Sequence, residues 1–142
     1  MTNEHVHQTL ERTFCITSDV AELSRVHSLT TELLGDANYG EDELHEILLA
    51  VQEGVTNAIH HGNGGTAECE VTIRLAVFDT HLEINIRDQG TGFDPGCIKD
   101  PLLPQHRLRS KGRGIMFIEN FMDEVCFELN DQYHELKMVR FR

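Results

Sequence analysis

Three side chains that could take part in chemistry recur at every fourth residue in the stretch LLAVQEGVTNAIHHG, residues 48–62. A helix advances about 100° per residue, so Glu53, Asn57 and His61 project from one side of it, with His60 beside them. The amide oxygen of Asn57 is a hard ligand suited to Mg²⁺, and a carboxylate one turn earlier can take a proton from a hydroxyl or water. The spacing therefore predicts either a row of groups aimed at a ligand or an ordinary solvated helix face.

The apolar residues of the same helix define the side that must face a core. We expect this side to lie on a sheet, while the opposite side faces water or a cavity under a long loop. The opposite side carries Glu46, Ala50, Glu53, Asn57 and His60. The core side carries Leu44, Ile47, Leu48, Val51, Val55, Ala58 and Ile59.

An acid follows the apolar face of the second strand in a predicted hairpin. Leu82, Ile84 and Ile86 alternate with polar residues, so the next inward position is Asp88. Burying an unpaired carboxylate is costly. Either the strand ends before Asp88 and its side chain turns to water, or Asp88 accepts a hydrogen bond from a donor at the core edge, such as the exocyclic amine of adenine.

Two pairs of glycines follow Asp88. Gly90 and Gly92, in DQGTGF, permit positive φ and a close approach of the backbone to a flat ligand, although many turns contain such a pair. Gly112 and Gly114, in KGRGIMFIENFM, precede a predicted helix, whose first N–H groups form a phosphate site. Gly112 could equally be a simple helix-start residue.

Basic residues cluster between these glycine pairs. Five of the twelve Lys and Arg residues fall within 15 positions, and no acid occurs between residues 105 and 114 of a chain with net charge −12. A solvated basic loop is one interpretation; a lid that closes over phosphates explains both the glycines and the sign of the charge. In chain order, these features predict phosphoryl transfer supported by positioning and charge neutralisation. The cluster consists of Lys99, Arg107, Arg109, Lys111 and Arg113.

The surrounding elements alternate between helices and strands joined by tight turns. This order predicts an α+β fold, a two-layer sandwich, formed by a single domain over residues 1–142 with a flexible end at residues 1–11. The predicted strands are RTFCIT at 12–17, the hairpin at 71–77 and 82–86, EVCFEL and HELKMVRF; the predicted helices run from residue 18 to about 34, through residues 48–62, and from about 112 to 122.

Composition restricts the class of protein. With 39% hydrophobic and 25% charged residues, the 142-residue chain is typical of a globular domain, and its net charge of −12 disfavours nonspecific binding to nucleic acid or anionic membranes. No apolar run approaches the roughly 20 residues that span a bilayer, and the N-terminus does not resemble a signal peptide. Cys15, Cys69, Cys97 and Cys126 form no CxxC pair. We therefore expect a soluble cytoplasmic protein with reduced thiols, mostly in packed strands.

The motifs EGVTNAIHHG, RDQGTGFDP and GRGIMFIENFMDEV together resemble the ATP-binding domain of the GHKL superfamily, from about Phe14 to Phe141. Within it, the sequence is most similar to the anti-sigma-factor serine kinases of bacterial partner-switching pathways. The resemblance implies a mixed, largely antiparallel sheet with helices on one face, and it implies ATP and Mg²⁺ as cofactors.

The resemblance also implies roles for individual residues. Glu53 would be the catalytic base, Asn57 the Mg²⁺ ligand, and Asp88 the residue that reads the adenine amine. Gly90 and Gly92 would line the nucleotide edge. Residues from about 99 to 114 would form the ATP lid, with Gly112 and Gly114 against the phosphates; Arg109 is a γ-phosphate contact for which Lys111 and Arg113 compete.

Partners follow from the resemblance alone. They are a sigma factor, an antagonist (anti-anti-sigma) protein that accepts the phosphate, and a second copy in a homodimer. A nucleotide-gated binding module without phosphotransfer is the alternative function. The chain differs from the family in one respect: Tyr133-His134 stands where Gly-Thr commonly leads into the last strand. Since that Thr usually supports the adenine contact, the difference bears on the affinity for the base.

Overall fold

The computed structural model describes residues 7–64, 68–89, 118–129 and 132–142. Five strands and two long helices account for most of them, and residues 118–121 are also helical. The strands are β1 Gln8–Thr17, β2 Glu70–Phe78, β3 His81–Asp88, β4 Glu124–Leu129 and β5 His134–Phe141; the helices are α1 Leu23–Asp36, preceded by a 3₁₀ turn Val20–Glu22, and α2 Glu41–Asn57, continued by a π-helical turn Ala58–Gly62.

The strands form one sheet in the order β1-β2-β3-β5-β4. All four pairings are antiparallel, so the described sheet is antiparallel rather than mixed. The central register places Ile84 of β3 opposite Leu75 of β2 and Met138 of β5. A short turn joins β2 to β3, as the sequence predicted, whereas the connection between β4 and β5 lies partly outside the described residues.

The two faces of the sheet differ in composition because side chains alternate along each strand. The inner face, against the helices, carries large apolar side chains that are almost fully buried. The outer face carries polar and charged side chains. This arrangement confirms the predicted two-layer α+β sandwich with helices on one face. The inner apolar residues include Phe14, Ile16, Val71, Ile73, Leu75, Leu82, Ile84, Ile86, Leu136 and Met138; the outer residues include Thr13, Thr72, Arg74, Asn85, Arg87 and Glu135.

Helix α2 meets the sheet through most of its predicted core side, including Ile47, Val51 and Val55, and through two residues predicted for the opposite side. Ala50 and Asn57, predicted to lie on the polar side, are both buried. The reason is Gly54: a Cβ at this position would lie 2.7 Å from Cδ1 of Ile86 and 3.1 Å from Cδ2 of Leu136. The missing side chain lets the helix backbone approach the sheet closely, so the contact is centred on a residue that a count of apolar side chains ignores.

Several predicted boundaries shift or fall outside the described residues. Strand β1 begins at Gln8, so residues 8–11 belong to the strand rather than to a flexible end. Helix α1 extends two residues past its predicted end. Of the helix predicted from about 112 to 122, residues 118–121 are described, and Met122 N donates to Ile118 O at 3.0 Å. The remainder of that helix and residues 1–6 lie outside the described ranges.

Two expectations from composition can be compared with the structure. The helices in the described ranges include none with the length and apolarity needed to cross a membrane. Cys15 and Cys126 are free thiols, as predicted. Cys15 and Cys126 are exposed, however, because they lie on the outer face of β1 and on β4 at the sheet edge rather than in packed positions.

Candidate functional site

Asn57 is a buried amide at the end of helix α2. It is only 7% exposed, and neither its Oδ1 nor its Nδ2 has a hydrogen-bond partner among the residues that the structure describes. Buried polar groups are almost always paired, so both ends of this amide are open to a partner beyond the described residues. The helix changes from α to π geometry directly after Asn57, and such π turns are frequent at functional sites.

Glu53 lies one helical turn before Asn57 and is partly exposed. The four-residue spacing places the two residues on the same side of α2. His60 is exposed, and the side chain of His61 lies outside the described part of the chain. The structure therefore brings Glu53 and Asn57 together, and of the two residues only Asn57 is enclosed.

Asp88 is the last residue of β3 and points inward, as the strand alternation predicted. It is 4% exposed, so the alternative in which the side chain turns to water is wrong. His134, the first residue of β5, is its direct partner in the sheet register and is 1% exposed. The Nδ1 of His134 lies 2.9 Å from Oδ1 of Asp88. Because a carboxylate accepts hydrogen bonds, the imidazole Nδ1–H is the donor.

Asn63 connects the end of helix α2 to the end of β3. It is fully buried; its Nδ2 donates to Ser18 Oγ at 2.8 Å and to Glu70 O at 3.0 Å, and its Oδ1 accepts from Gln89 N at 2.8 Å. Its own N–H donates to Ala58 O at 2.9 Å, which closes the π turn. One side chain therefore fixes the turn after Asn57 relative to the residue after Asp88.

The Asn57 amide and the Asp88 carboxylate are two polar groups near this region that could bind different parts of a ligand. The amide of Asn57 supplies a hard oxygen of the kind that Mg²⁺ accepts alongside phosphate oxygens and water. Asp88 supplies an acceptor at the edge of an apolar core. No group of three or more His, Cys, Asp and Glu residues that could hold a metal occurs within the described ranges.

The other predicted site residues cannot be placed. Residues 90–117 lie outside the described residues, and they contain both glycine pairs and the basic cluster. The predictions for these positions remain predictions. The residues concerned are Gly90, Gly92, Arg109, Lys111, Gly112, Arg113 and Gly114.

Sequence reasoning missed two residues of this region. Asn63 has no predicted role, although a polar residue that follows a helix can become buried when backbone groups there need partners. His134 was noted as a difference from a family pattern, without a partner. Strand parity offered the missing signal, because His134 shares its inward parity with Leu136 and Met138.

Comparison with known proteins adds an independent line of evidence. The profile of the family described as "Histidine kinase-like ATPase domain" matches residues 16–140. The serine-protein kinase RsbW of Oceanobacillus iheyensis is 33% identical over 116 residues, which cover 75% of this chain and 72% of that protein. RsbW of Bacillus licheniformis is 35% identical over 112 residues, covering 72% and 68%. The anti-sigma F factor of Bacillus thuringiensis is 39% identical over 94 residues, covering 65% and 64%.

Solved structures with the same fold are more distant in sequence. The RsbU and RsbW domains of a Mycobacterium tuberculosis protein align with a TM-score of 0.68 at 15% identity, over 94% of this chain and 33% of that one. The SiaB–SiaC complex of Pseudomonas aeruginosa aligns with a TM-score of 0.66, also at 15% identity, over 94% and 89%. These similarities confirm the fold.

Proposed function

We propose, from the premise that the chain belongs to the histidine kinase-like ATPase domain family, that it is an ATP-dependent protein-serine kinase and an anti-sigma regulatory factor. The observation that carries the proposal is the enclosed Asn57 amide, which has no partner in the described chain and lies one turn after Glu53. The names of the curated relatives support the same activity.

The described residues suit the transfer of the ATP γ-phosphoryl group to a serine hydroxyl. Bound ATP would supply the phosphoryl group, and Asn57 would hold a Mg²⁺ ion that would supply charge neutralisation for the phosphates. Glu53 takes the serine proton as the hydroxyl oxygen forms its bond to phosphorus and the bond to ADP breaks. A partly exposed carboxylate suits this role, since the incoming serine belongs to another protein and must reach it from solvent.

The base end of the nucleotide is assigned to Asp88. Its buried carboxylate accepts a hydrogen bond from the adenine amine, which an apolar surrounding strengthens. Gly90 and Gly92 follow it along the nucleotide edge, and residues 99–114 supply the lid, with Gly112, Gly114 and the neighbouring basic side chains against the phosphates.

The partners are proposed on the same basis. They are a sigma factor, which the protein sequesters, and an antagonist protein, whose serine it phosphorylates. The similarity to the anti-sigma F factor of Bacillus thuringiensis supports the interaction with a sigma factor. A homodimer and a cytoplasmic location remain predictions. A nucleotide-gated binding module without transfer is the second candidate; a Glu at position 53 favours the kinase over it.

The decisive experiment compares wild type with Glu53→Gln. Purified protein is mixed with Mg·ATP labelled at the γ-phosphate and with a candidate antagonist protein, and transfer is measured beside the affinity for Mg·ATP. Loss of the general base should slow transfer by about 100-fold or more, while the affinity for Mg·ATP stays within about 3-fold of wild type, a change of less than about 1 kcal/mol in binding free energy.

The matched control is Glu46→Gln, the same substitution two turns earlier on α2, which should transfer phosphate at the wild-type rate. Nucleotide binding by wild type without transfer to any antagonist protein would favour the binding module. Normal transfer by Glu53→Gln would remove Glu53 from the role of base.

A further inference from the structure

We propose that His134 is a positioning residue that sets the specificity of the base pocket, because its Nδ1–H fixes the orientation of the Asp88 carboxylate toward the adenine amine. This inference rests on the proposed function, in which Asp88 receives that amine. It assigns to His134 a role in nucleotide selection that goes beyond filling the core.

The contact between His134 and Asp88 is short, buried and fixed by the sheet register. His134 Nδ1 and Asp88 Oδ1 are 2.9 Å apart, and the two side chains are 1% and 5% exposed. The two residues are direct partners across β3 and β5, so the backbone ladder sets the separation of their Cα atoms. A hydrogen bond in so enclosed a place is stronger than the same bond in water.

The chain immediately around the pair is tied down on the opposite face of the sheet. Arg87, which precedes Asp88, donates from Nε to Glu135 Oε1 at 3.2 Å. The same guanidinium lies 3.8 Å from the ring centroid of Tyr133. The residues on both sides of His134 therefore contact the residue next to Asp88 on the outer face of the sheet.

An orienting role follows from the torsional freedom of aspartate. Rotation about χ2 of Asp is soft, so a carboxylate held only by its stem presents its oxygens over a wide range of angles. A donor fixed at Oδ1 removes that freedom and sets the plane of the carboxylate. The exocyclic amine then binds a carboxylate whose orientation is already fixed. Less of the binding free energy is therefore lost in ordering the Asp88 side chain.

A purely structural role makes a different prediction. If His134 only fills space and satisfies Asp88 within the core, its removal lowers stability and weakens every nucleotide equally. If it orients Asp88, its removal weakens those nucleotides that carry the amine. The contrast between ADP and purine riboside 5′-diphosphate, which lacks the amine and is otherwise alike, separates the two roles.

The experiment measures the dissociation constants of ADP and purine riboside 5′-diphosphate by isothermal titration calorimetry, with Mg²⁺ present. Wild type should prefer ADP by about 10-fold or more, the contribution of one hydrogen bond to a charged acceptor. His134→Leu should lose most of this preference. His134→Asn, which can place an amide N–H near the position of Nδ1, should keep most of it.

The matched control is His81→Leu. His81 also pairs with a carboxylate, with Nε2 at 3.0 Å from Glu83 Oε2, but it lies at the far end of β3. It should keep the full preference for ADP. A preference that survives intact in His134→Leu would overturn the inference while leaving the proposed function in place.

Two further outcomes of the titration count against the inference. A wild type that binds both diphosphates equally would overturn the contact of Asp88 with the amine, and with it the role of His134. A wild type that binds neither would overturn the proposed function itself.

A second measurement applies to unmodified protein and so does not depend on the folding of His134→Leu. With ¹⁵N-labelled histidine, the Nδ1–H resonance of His134 should shift when ADP binds and should shift far less with purine riboside 5′-diphosphate. Equal shifts with both ligands would contradict the inference.

Discussion

Two polar pairs join β3 to β5 in adjacent positions of the register, and they lie on opposite faces of the sheet. Asp88 and His134 form the inner pair, with side chains 5% and 1% exposed, whereas Arg87 and Glu135 form the outer pair, 47% and 19% exposed. The distances are similar, at 2.9 Å and 3.2 Å. Separation therefore does not distinguish the pairs, and the difference lies in what surrounds them.

The surroundings decide what each pair contributes. Water and salt screen the outer pair, and its long side chains lose entropy when they are held together. The inner pair has no such screening, so its hydrogen bond is strong and the loss of one partner is costly. Among the described strand residues, Asp88 and His134 are the buried polar ones, and Asn63 lies at the same end of the sheet.

The largest expected effect comes from the most connected inner residue. Asn63→Ala removes a side chain that pairs with Ser18, Glu70 and Gln89. Several buried groups lose a partner at once, so we expect the free energy of unfolding to fall by about 3 kcal/mol, measured by urea denaturation. The matched outer substitution is Asn85→Ala, which loses one hydrogen bond from Arg74, 3.1 Å long, on the outer face. An equal decrease in the free energy of unfolding in both variants would contradict the expectation that inner polar contacts contribute more to stability than outer ones.

The next largest effect concerns ligand affinity. Asp88→Asn should weaken the binding of ATP and ADP by about 30-fold, near 2 kcal/mol, because the charged acceptor for the adenine amine is replaced by a neutral amide. Thermal-shift titration with each nucleotide, with and without Mg²⁺, measures the change. Asp79→Asn removes one carboxylate from the exposed turn at the other end of β3 and should bind as wild type does. Unchanged affinity in Asp88→Asn would remove Asp88 from the base pocket.

Double-mutant cycles compare the two pairs directly. For Asp88→Asn with His134→Leu we expect a coupling energy of about 1.5 kcal/mol, since the hydrogen bond is buried and charge-assisted. For Arg87→Gln with Glu135→Gln we expect about 0.5 kcal/mol, which should decrease further in 1 M salt, where the screening length is about 3 Å. Equal coupling energies in the two cycles would show that burial does not make the inner pair stronger than the outer pair.

The smallest effect belongs to an outer cluster around Glu83. Burial raises the pKa of Glu83, but the hydrogen bonds from His81 and Arg74 and the nearby charges of Lys137 and His81 outweigh this effect and hold the pKa below its ordinary value of 4.5. Since the folded pKa is depressed, the stabilisation is present above the unfolded pKa and is lost as pH falls through the folded one.

Glu83→Gln should therefore reduce stability by about 0.5 kcal/mol at neutral pH. The difference from wild type should vanish below the folded pKa. Urea denaturation at several values of pH from neutral to about 3 tests this, with Glu124→Gln, an exposed acid on β4, as the control. A difference that persists at the lowest pH would exclude the charge of Glu83 as its cause.

The sequence predicted most of the fold because the inner face follows strict alternation. The strands β4 and β5 have the predicted residues, and the β2–β3 hairpin gains only one or two residues at its ends. Strand parity also placed Asp88 inside. The four-residue spacing of Glu53 and Asn57 predicted that they are neighbours on one helix, since helical geometry brings residues four apart to the same face.

Only the tertiary structure decided the facts that depend on contacts between distant segments. The orientation of α2 depends on Gly54, because a missing Cβ matters only once a sheet lies against it. The bond from His134 to Asp88 spans 46 positions, and that from Asn63 to Ser18 spans 45. Local periodicity carries no information about such pairings, whereas the sheet register creates them. The sequence by itself determined which groups could do chemistry, and packing decided which of them are buried and what each one touches.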